Sequence, residues 1–367
     1  MRTLMHYQKS KGHQVSGVVH WHQVGKRSEA IDDCGIEISR MSIQLIAFFV
    51  PISFLAGYSF WKKIRHSAPD ILHLHMPNIA CFWLLFLPSA RRIPWVVHWH
   101  SDVLGEKPDW RIKFLYPFYR IFEQWLLARA SKIIVTSPNY LATSQPLDKW
   151  ADKCSIVPLG IDIELKGFAD ELNLRDIASP LKVLCIGRLT YYKGHQYLLR
   201  AISEVAKANT QIKLDIVGKG ELSSDCLRLT KEFELEEMID FHGEVDEHQL
   251  NRLLHGCDLL CLPSIERTEA FGLVLLEAMS VGKPCIVTDV RGSGMSYVVE
   301  HLKTGLVVEH SSVEALSEAL VHCAAYPKHL SEWGQAGYER VQQVFSLEKV
   351  AEKVESIYLS IFPEERS

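Results

Sequence analysis

Two short runs in the second half of the chain carry residue types that can grip and polarise a phosphate ester. Gly187-Arg188-Leu189-Thr190-Tyr191-Tyr192-Lys193-Gly194 directly follows Val183–Ile186, an apolar run that reads as a buried strand. Gly187 and Gly194 let the backbone come close to a ligand. Arg188 and Lys193 put two cations at the strand tip: a guanidinium forks onto phosphate, and an ammonium adds a mobile point charge. The second run, Glu266-Arg267-Thr268-Glu269-Ala270-Phe271-Gly272-Leu273-Val274-Leu275-Leu276-Glu277-Ala278-Met279, follows the strand-like Asp258–Leu262 and a turn at Pro263-Ser264. The pattern predicts a helix from near Phe271, whose free N–H groups and positive dipole end favour an anion. Glu269 stands just before that start. Glu277 lies eight positions later in an otherwise apolar helix, where a carboxylate needs a partner, and ribose hydroxyls would supply one. A solvated turn, a helix-capping Glu269 and a water-facing Glu277 account for the same residues equally well at this point.

In the first half, Trp95-Val96-Val97-His98-Trp99-His100-Ser101-Asp102 ends a strand, and so does His75-Met76-Pro77-Asn78. The post-strand position favours His100 as a ligand-side residue, where a neutral imidazole exchanges one hydrogen bond. His98 reads as packed and His73 as a core histidine. No acidic or cysteine cluster accompanies these histidines and no Cys-x-x-Cys spacing occurs, so no metal ligand is assigned.

The elements that must position these residues alternate along the chain. Strand candidates are Val15–Trp21, Ile71–His75, Trp95–His98, Lys132–Thr136 and Ser155–Val157, then Val183–Ile186, Lys213–Val217, Asp258–Leu262, Cys285–Thr288 and Gly305–Val308. Helix-length segments separate them, which implies βαβ units, parallel sheets and an α/β fold. At 367 residues the chain is long enough for two such domains. The boundary is expected near Ile163–Leu181, with ligands at a cleft outside the carboxyl ends of the strands. Forty basic against 44 acidic residues, a net charge of −4, speak against an electrostatic nucleic-acid binder. The nine cysteines are scattered; Cys154, Cys185, Cys257, Cys261 and Cys285 read as buried small hydrophobes. Ser42–Trp61 is uncharged and long enough to span a bilayer, but Pro51 and several polar residues interrupt it, and a buried strand–loop–helix is the favoured reading. Leu347, Val350, Val354, Ile357, Tyr358 and Ile361 form a helical stripe that must bury.

Glu269 and Glu277 with Phe-Gly after the first, Gly-Arg…Lys-Gly, Asp215-Ile216-Val217-Gly218-Lys219-Gly220 and Pro158-Leu159-Gly160-Ile161-Asp162 together resemble the signature of the retaining glycosyltransferases of family 4. That resemblance implies the GT-B fold, two Rossmann-like domains with parallel sheets facing a central cleft. Residues 1–165, completed by a C-terminal helix at 346–362, would form the acceptor-side domain, and residues 178–345 the nucleotide-sugar domain. By the same resemblance, Arg188 and Lys193 neutralise the leaving diphosphate and Glu277 holds the donor ribose. Glu269 lies by the donor sugar and steadies charge at its anomeric carbon, and His100 sits near that sugar. Phe271, Gly272 and Leu273 offer backbone donors, Gly187 belongs to the phosphate loop, and Gly218 and Gly220 let the nucleotide pack closely.

The implied activity is a metal-independent, cofactor-free, retaining hexosyl transfer from a GDP- or UDP-linked donor. Val290-Arg291-Gly292-Ser293-Gly294 resembles the mannosyl- and rhamnosyltransferases of bacterial surface-polysaccharide pathways, which implies a lipid-linked oligosaccharide acceptor and cytoplasmic work, peripheral to the inner membrane face. The aromatic and cationic run Asp109–Phe122 suits a membrane interface and suits a core-facing helix equally. One departure stands out: Lys11-Gly12-His13-Gln14-Val15 comes almost at once, where relatives first have a strand and a glycine loop, so the first strand of the N-terminal domain is expected to be missing. Two alternatives stay open: a nucleotide-sugar epimerase, and an inactive nucleotide-binding relative.

Overall fold

The structure, a computed structural model, describes residues 2–47, 50–103, 110–162 and 179–362. It divides into two compact units. One comprises Met1–Thr136, Ser144–Val157 and Leu347–Ser367; the other comprises Ser137–Thr143 and Pro158–Ser346. Most of the predicted boundary falls on residues 163–178, outside the described residues.

The first unit contains three sets of strands. β1 (Ser16–Val24) pairs parallel with β3 (Ile36–Ile43), which pairs antiparallel with β2 (Glu29–Asp33). β4 (Leu45–Ala47) and β5 (Val50–Ile52) form a hairpin. β6 (Leu72–Met76), β7 (Trp95–Trp99), β8 (Lys132–Val135) and β9 (Cys154–Ile156) form a parallel sheet in chain order. β7 is buried along its whole length, as an apolar strand flanked on both sides must be. The expected strand at Val15–Trp21 is present as β1 but does not join this sheet. It exposes Gln23 and Val24 at its end, no residue along it is fully buried, and its ladder goes to β3.

The Ser42–Trp61 segment resolves into the end of β3, the hairpin and the start of the helix Ala56–Ser67. Burial was expected there and is only partial. Ala56, Gly57 and Ile64 face inward, while Ile46, Phe54, Leu55 and Tyr58 are exposed. Among the described residues no helix is long and apolar enough to cross a membrane. The aromatic run past residue 109 forms the helix Trp110–Arg129, with Leu126, Leu127 and Glu123 buried. Its other face is unusual: Trp110 (73%), Phe114 (70%) and Phe118 (63%) are exposed, with Ile121 and Trp125 continuing the stripe. The helix Leu347–Leu359 packs Val350, Val354 and Ile357 against Val96 and Ile134 of the four-stranded sheet.

The second unit is a six-stranded, all-parallel sheet of β10 (Leu181–Ile186), β11 (Ile212–Val217), β12 (Ile239–Gly243), β13 (Leu259–Leu262), β14 (Cys285–Thr288) and β15 (Gly305–Val308), in the order β12-β11-β10-β13-β14-β15. Helices cover both faces. Val183, Cys185, Leu259 and Cys261 pack into one hydrophobic cluster; Leu184, Leu260, Leu262 and Val287 pack into the other. This two-sided burial explains the unbroken apolar runs of the inner strands. Cys185, Cys257, Cys261 and Cys285 are buried as expected, whereas Cys154 at the start of β9 is only half-buried. The strand order reverses between β10 and β13, the place at the carboxyl ends where open parallel sheets bind ligands.

Candidate active site

The two motif runs are the loops that leave β10 and β13, on either side of that reversal. Backbone contacts lock one loop onto the other. The Ile265 N–H donates to the Tyr192 carbonyl at 2.8 Å. Gly194 has φ +69°, and a Cβ there would stand 2.0 Å from the Pro263 carbonyl oxygen, so no other residue fits. Gly194 also begins the helix His195–Lys207, which anchors the loop through Leu198, Leu199 and Ile202.

These contacts bring Lys193 to Glu269. The ammonium lies 2.5 Å from Glu269 Oε2, and both side chains are only 12% exposed. Lys193 also covers Gly187, whose absent Cβ leaves room for the lysine stem. Glu269 is further held by Ser264, with Oγ 3.5 Å from the same carboxylate oxygen, and by Ser293, whose Oγ donates to the Glu269 carbonyl at 2.5 Å. The Gly294 N–H donates to the Ala270 carbonyl at 2.9 Å. The sequence reading missed Ser264 and Ser293 as positioning residues. Each is one hydroxyl in a short turn, and only the fold brings it to Glu269.

Arg188 is exposed at the tip of the β10 loop, and among the described residues it forms no ion pair. The ammonium–carboxylate pair thus bridges the two loops, and the β10 loop also carries the exposed Arg188 guanidinium. That arrangement suits an anion that is gripped by Arg188 and handed a second positive charge by Lys193.

Gly218 and Gly220 are required by the packing of the loops themselves. A Cβ on Gly218 would meet the Gly187 carbonyl at 2.1 Å, and one on Gly220 would meet the Leu189 carbonyl at 2.2 Å. Their lack of side chains lets the β11 loop pack under the β10 loop. The helix predicted from near Phe271 begins at Leu273, after Gly272 in the left-handed region at φ +80°. Phe271 itself is buried, edge-on to Phe345 at 6.1 Å. Glu277 is half-buried on this helix, Leu273–Met279.

His100 belongs to the N-terminal unit, just past β7. It lies beside His75, with His75 Nδ1 and His100 Nε2 2.8 Å apart. Burial first, with nearby positive charge, lowers its pKa to about 4, so the ring is neutral at neutral pH. His98 is buried, as expected of a packed histidine, and His73 is half-buried; both stack with His75 and His100 in one four-ring cluster that the sequence reading did not foresee.

Comparison with known proteins places this architecture. The Glycosyl transferases group 1 profile matches residues 175–340, and the Glycosyltransferase Family 4 profile matches residues 1–165. D-rhamnosyltransferase WbpZ of Pseudomonas aeruginosa is 31% identical over 293 residues, 78% of this chain and 73% of that protein. The chain belongs to the family 4, group 1 glycosyltransferases. O-antigen chain mannosyltransferase C of Escherichia coli is 26% identical over 82% of this glycosyltransferase and 78% of its own length. Among solved structures, sucrose-phosphate synthase of Thermosynechococcus elongatus aligns with a TM-score of 0.77 at 23% identity, covering 98% of this chain and 92% of that one. The fold is GT-B, with α/β units built on parallel sheets.

Proposed function

We propose that this glycosyltransferase moves a hexose, mannose or rhamnose, from a GDP- or UDP-linked donor onto a lipid-linked surface oligosaccharide, with retention and without a metal ion. The Lys193–Glu269 pair on the interlocked β10 and β13 loops carries the reading. Arg188 and Lys193 take the diphosphate, and the backbone N–H groups of Gly272 and Leu273 complete its cradle beside Gly187 and Gly218. Released from the ammonium, the Glu269 carboxylate orients the sugar hydroxyls and steadies positive charge at the anomeric carbon. Glu277 holds the ribose and neutral His100 a sugar hydroxyl. The acceptor hydroxyl attacks the face from which the diphosphate departs, and a departing phosphate oxygen takes its proton. Electrostatic preorganisation supplies most of the rate.

The choice of sugar and acceptor is supported by the printed activities of the relatives, a D-rhamnosyltransferase and an O-antigen chain mannosyltransferase. The donor class is supported by the likeness to Anabaena HepE, solved with UDP-glucose, at a TM-score of 0.69 and 18% identity over 94% of this chain and 99% of that one. A cytoplasmic, membrane-peripheral site of action is supported by the exposed Trp110, Phe114 and Phe118 stripe. Arg111, Lys113 and Arg120 flank it, while the helix's one acid, Glu123, is buried. Lys193→Ala and Arg188→Ala are tested with nucleotide-sugar donors and a lipid-linked acceptor, with product followed by NMR. Both variants are expected to lose turnover; substantial transfer by Lys193→Ala overturns the assignment. Donor conversion without acceptor would mark an epimerase instead.

A further inference from the structure

We propose that His73, His75 and His98 form a binding site for one divalent transition-metal ion of the zinc type. Its three ligands stand on the parallel sheet of the N-terminal unit and are not among the residues proposed above for the transfer.

Strand pairing builds it. β6 and β7 are parallel neighbours, with His75 directly opposite His98. His73 lies two residues before His75, and His100 two after His98, so two His-x-His pairs present four imidazoles on one sheet face. Ring centroids of neighbouring pairs are 4.4 to 5.4 Å apart. One nitrogen from each of His73, His75 and His98 lies within 4.8 Å of the others, and no other such group of three occurs among the described residues.

Packing alone leaves this cluster unexplained. His98 is 4% exposed, yet neither of its ring nitrogens has a hydrogen-bond partner, and Nε2 of His73 has none either. Buried polar atoms in that state are costly, and a metal ion is a partner that three imidazole lone pairs can share. The surrounding bonds already orient two ligands. His73 Nδ1 meets the Tyr358 hydroxyl at 2.5 Å and His75 Nδ1 meets His100, which leaves Nε2 of each for the ion. Zinc–nitrogen bonds of about 2.0–2.1 Å require the rings to turn out of their stack toward a common point. The strand ladder holds their Cβ positions while they do. Water completes a tetrahedral set. An ion there ties β6 to β7 at the sheet face covered by Tyr358 of the C-terminal helix.

The test uses the full chain, stripped with chelator and titrated with Zn²⁺ against a competing dye, and with Co²⁺ by visible absorption. The expected result is one ion per chain, a four-coordinate Co²⁺ spectrum, and a rise in Tm on Zn²⁺ addition. His98→Asn and His73→Asn should each weaken binding by more than about 100-fold, since losing a ligand costs at least what losing its supporting bond does. Both should abolish the Tm rise while keeping the wild-type circular dichroism without metal. His329→Asn serves as a control: it alters the His322–His329 pair, 3.0 Å apart on other helices, and should leave binding unchanged. If the cluster variants fail to fold, X-ray absorption of the zinc-loaded wild type decides by its count of imidazole ligands. Wild type that binds no stoichiometric ion, His98→Asn that binds as wild type does, or a spectrum without imidazole scattering overturns the proposal.

Discussion

Lys193 Nζ and Glu269 Oε2 stand 2.5 Å apart although 76 residues separate them in the chain. Each is the other's charge partner where little water reaches either. Removing one partner therefore strands the other, a larger loss than breaking an exposed pair. Lys193→Ala should destabilise the protein by about 1–3 kcal/mol. A Lys193→Ala/Glu269→Gln cycle in urea unfolding should show coupling of about 0.5–3 kcal/mol. Strictly additive losses would mean that the pair is not formed in solution.

Glu269→Gln keeps the shape and removes the charge, so binding and chemistry should part. Nucleoside diphosphate affinity, read by calorimetry, should hold or tighten because Lys193 is released. The turnover number should fall by about 100-fold or more, the scale of losing one preorganised electrostatic group. Equal losses in both would assign Glu269 to binding alone.

Gly194→Ala and Gly218→Ala force a Cβ to about 2 Å from the carbonyl oxygens of Pro263 and Gly187, each at positive φ. Both should lower Tm and disrupt diphosphate binding by moving the loops. Gly256→Ala meets nothing within 4 Å at the end of the Glu247–Gly256 helix and should be neutral or slightly stabilising. Thermal melts of the three separate a packing requirement from a general cost of losing glycine.

Buried Glu123 offers a pH-dependent check. Burial first raises its pKa from 4.5 to about 7, against the lowering effect of the hydrogen bond from the Tyr116 hydroxyl at 3.2 Å. A raised carboxyl pKa means the fold binds the proton more tightly than the unfolded chain. Its contribution is fully present below pH 4.5 and is lost as pH rises through 7. Glu123→Gln mimics the protonated acid. It should match wild type near pH 4.5 and exceed it by about 2–3 kcal/mol at pH 8. A gain independent of pH would point to packing instead.

Replacing Trp110, Phe114 and Phe118 together with serine should leave Tm nearly unchanged, because these side chains already face water. Co-sedimentation with anionic lipid vesicles should drop several-fold, and added salt should weaken what remains. A triple variant that sediments like wild type would remove this helix from the membrane-binding surface.

Much of this architecture was legible in the residues. β13, β14 and the Val183–Ile186 part of β10 announce themselves because strands buried on both faces must be apolar. The charged loops after β10 and β13 were legible because the fold puts ligands at strand ends. β12 was missed: as an edge strand it alternates Asp240 and His242 with apolar residues and has no continuous run. β2 to β5 were missed for a similar reason, being short, part-exposed pieces whose pairing depends on partners. The Lys193–Glu269 bond, the seats of Gly194 and Gly218 and the four-histidine stack are tertiary juxtapositions. No spacing in one chain reveals them.

The most direct measurement is calorimetric titration of GDP and UDP, each beside its parent nucleoside, into wild type, Arg188→Ala and Lys193→Ala. A diphosphate held by the β10 loop predicts that wild type binds one nucleoside diphosphate far more tightly than its nucleoside. Each variant should lose at least about 10-fold of that affinity, about 1.4 kcal/mol, with nucleoside binding unchanged. Wild-type affinity retained by both variants would contradict the assignment.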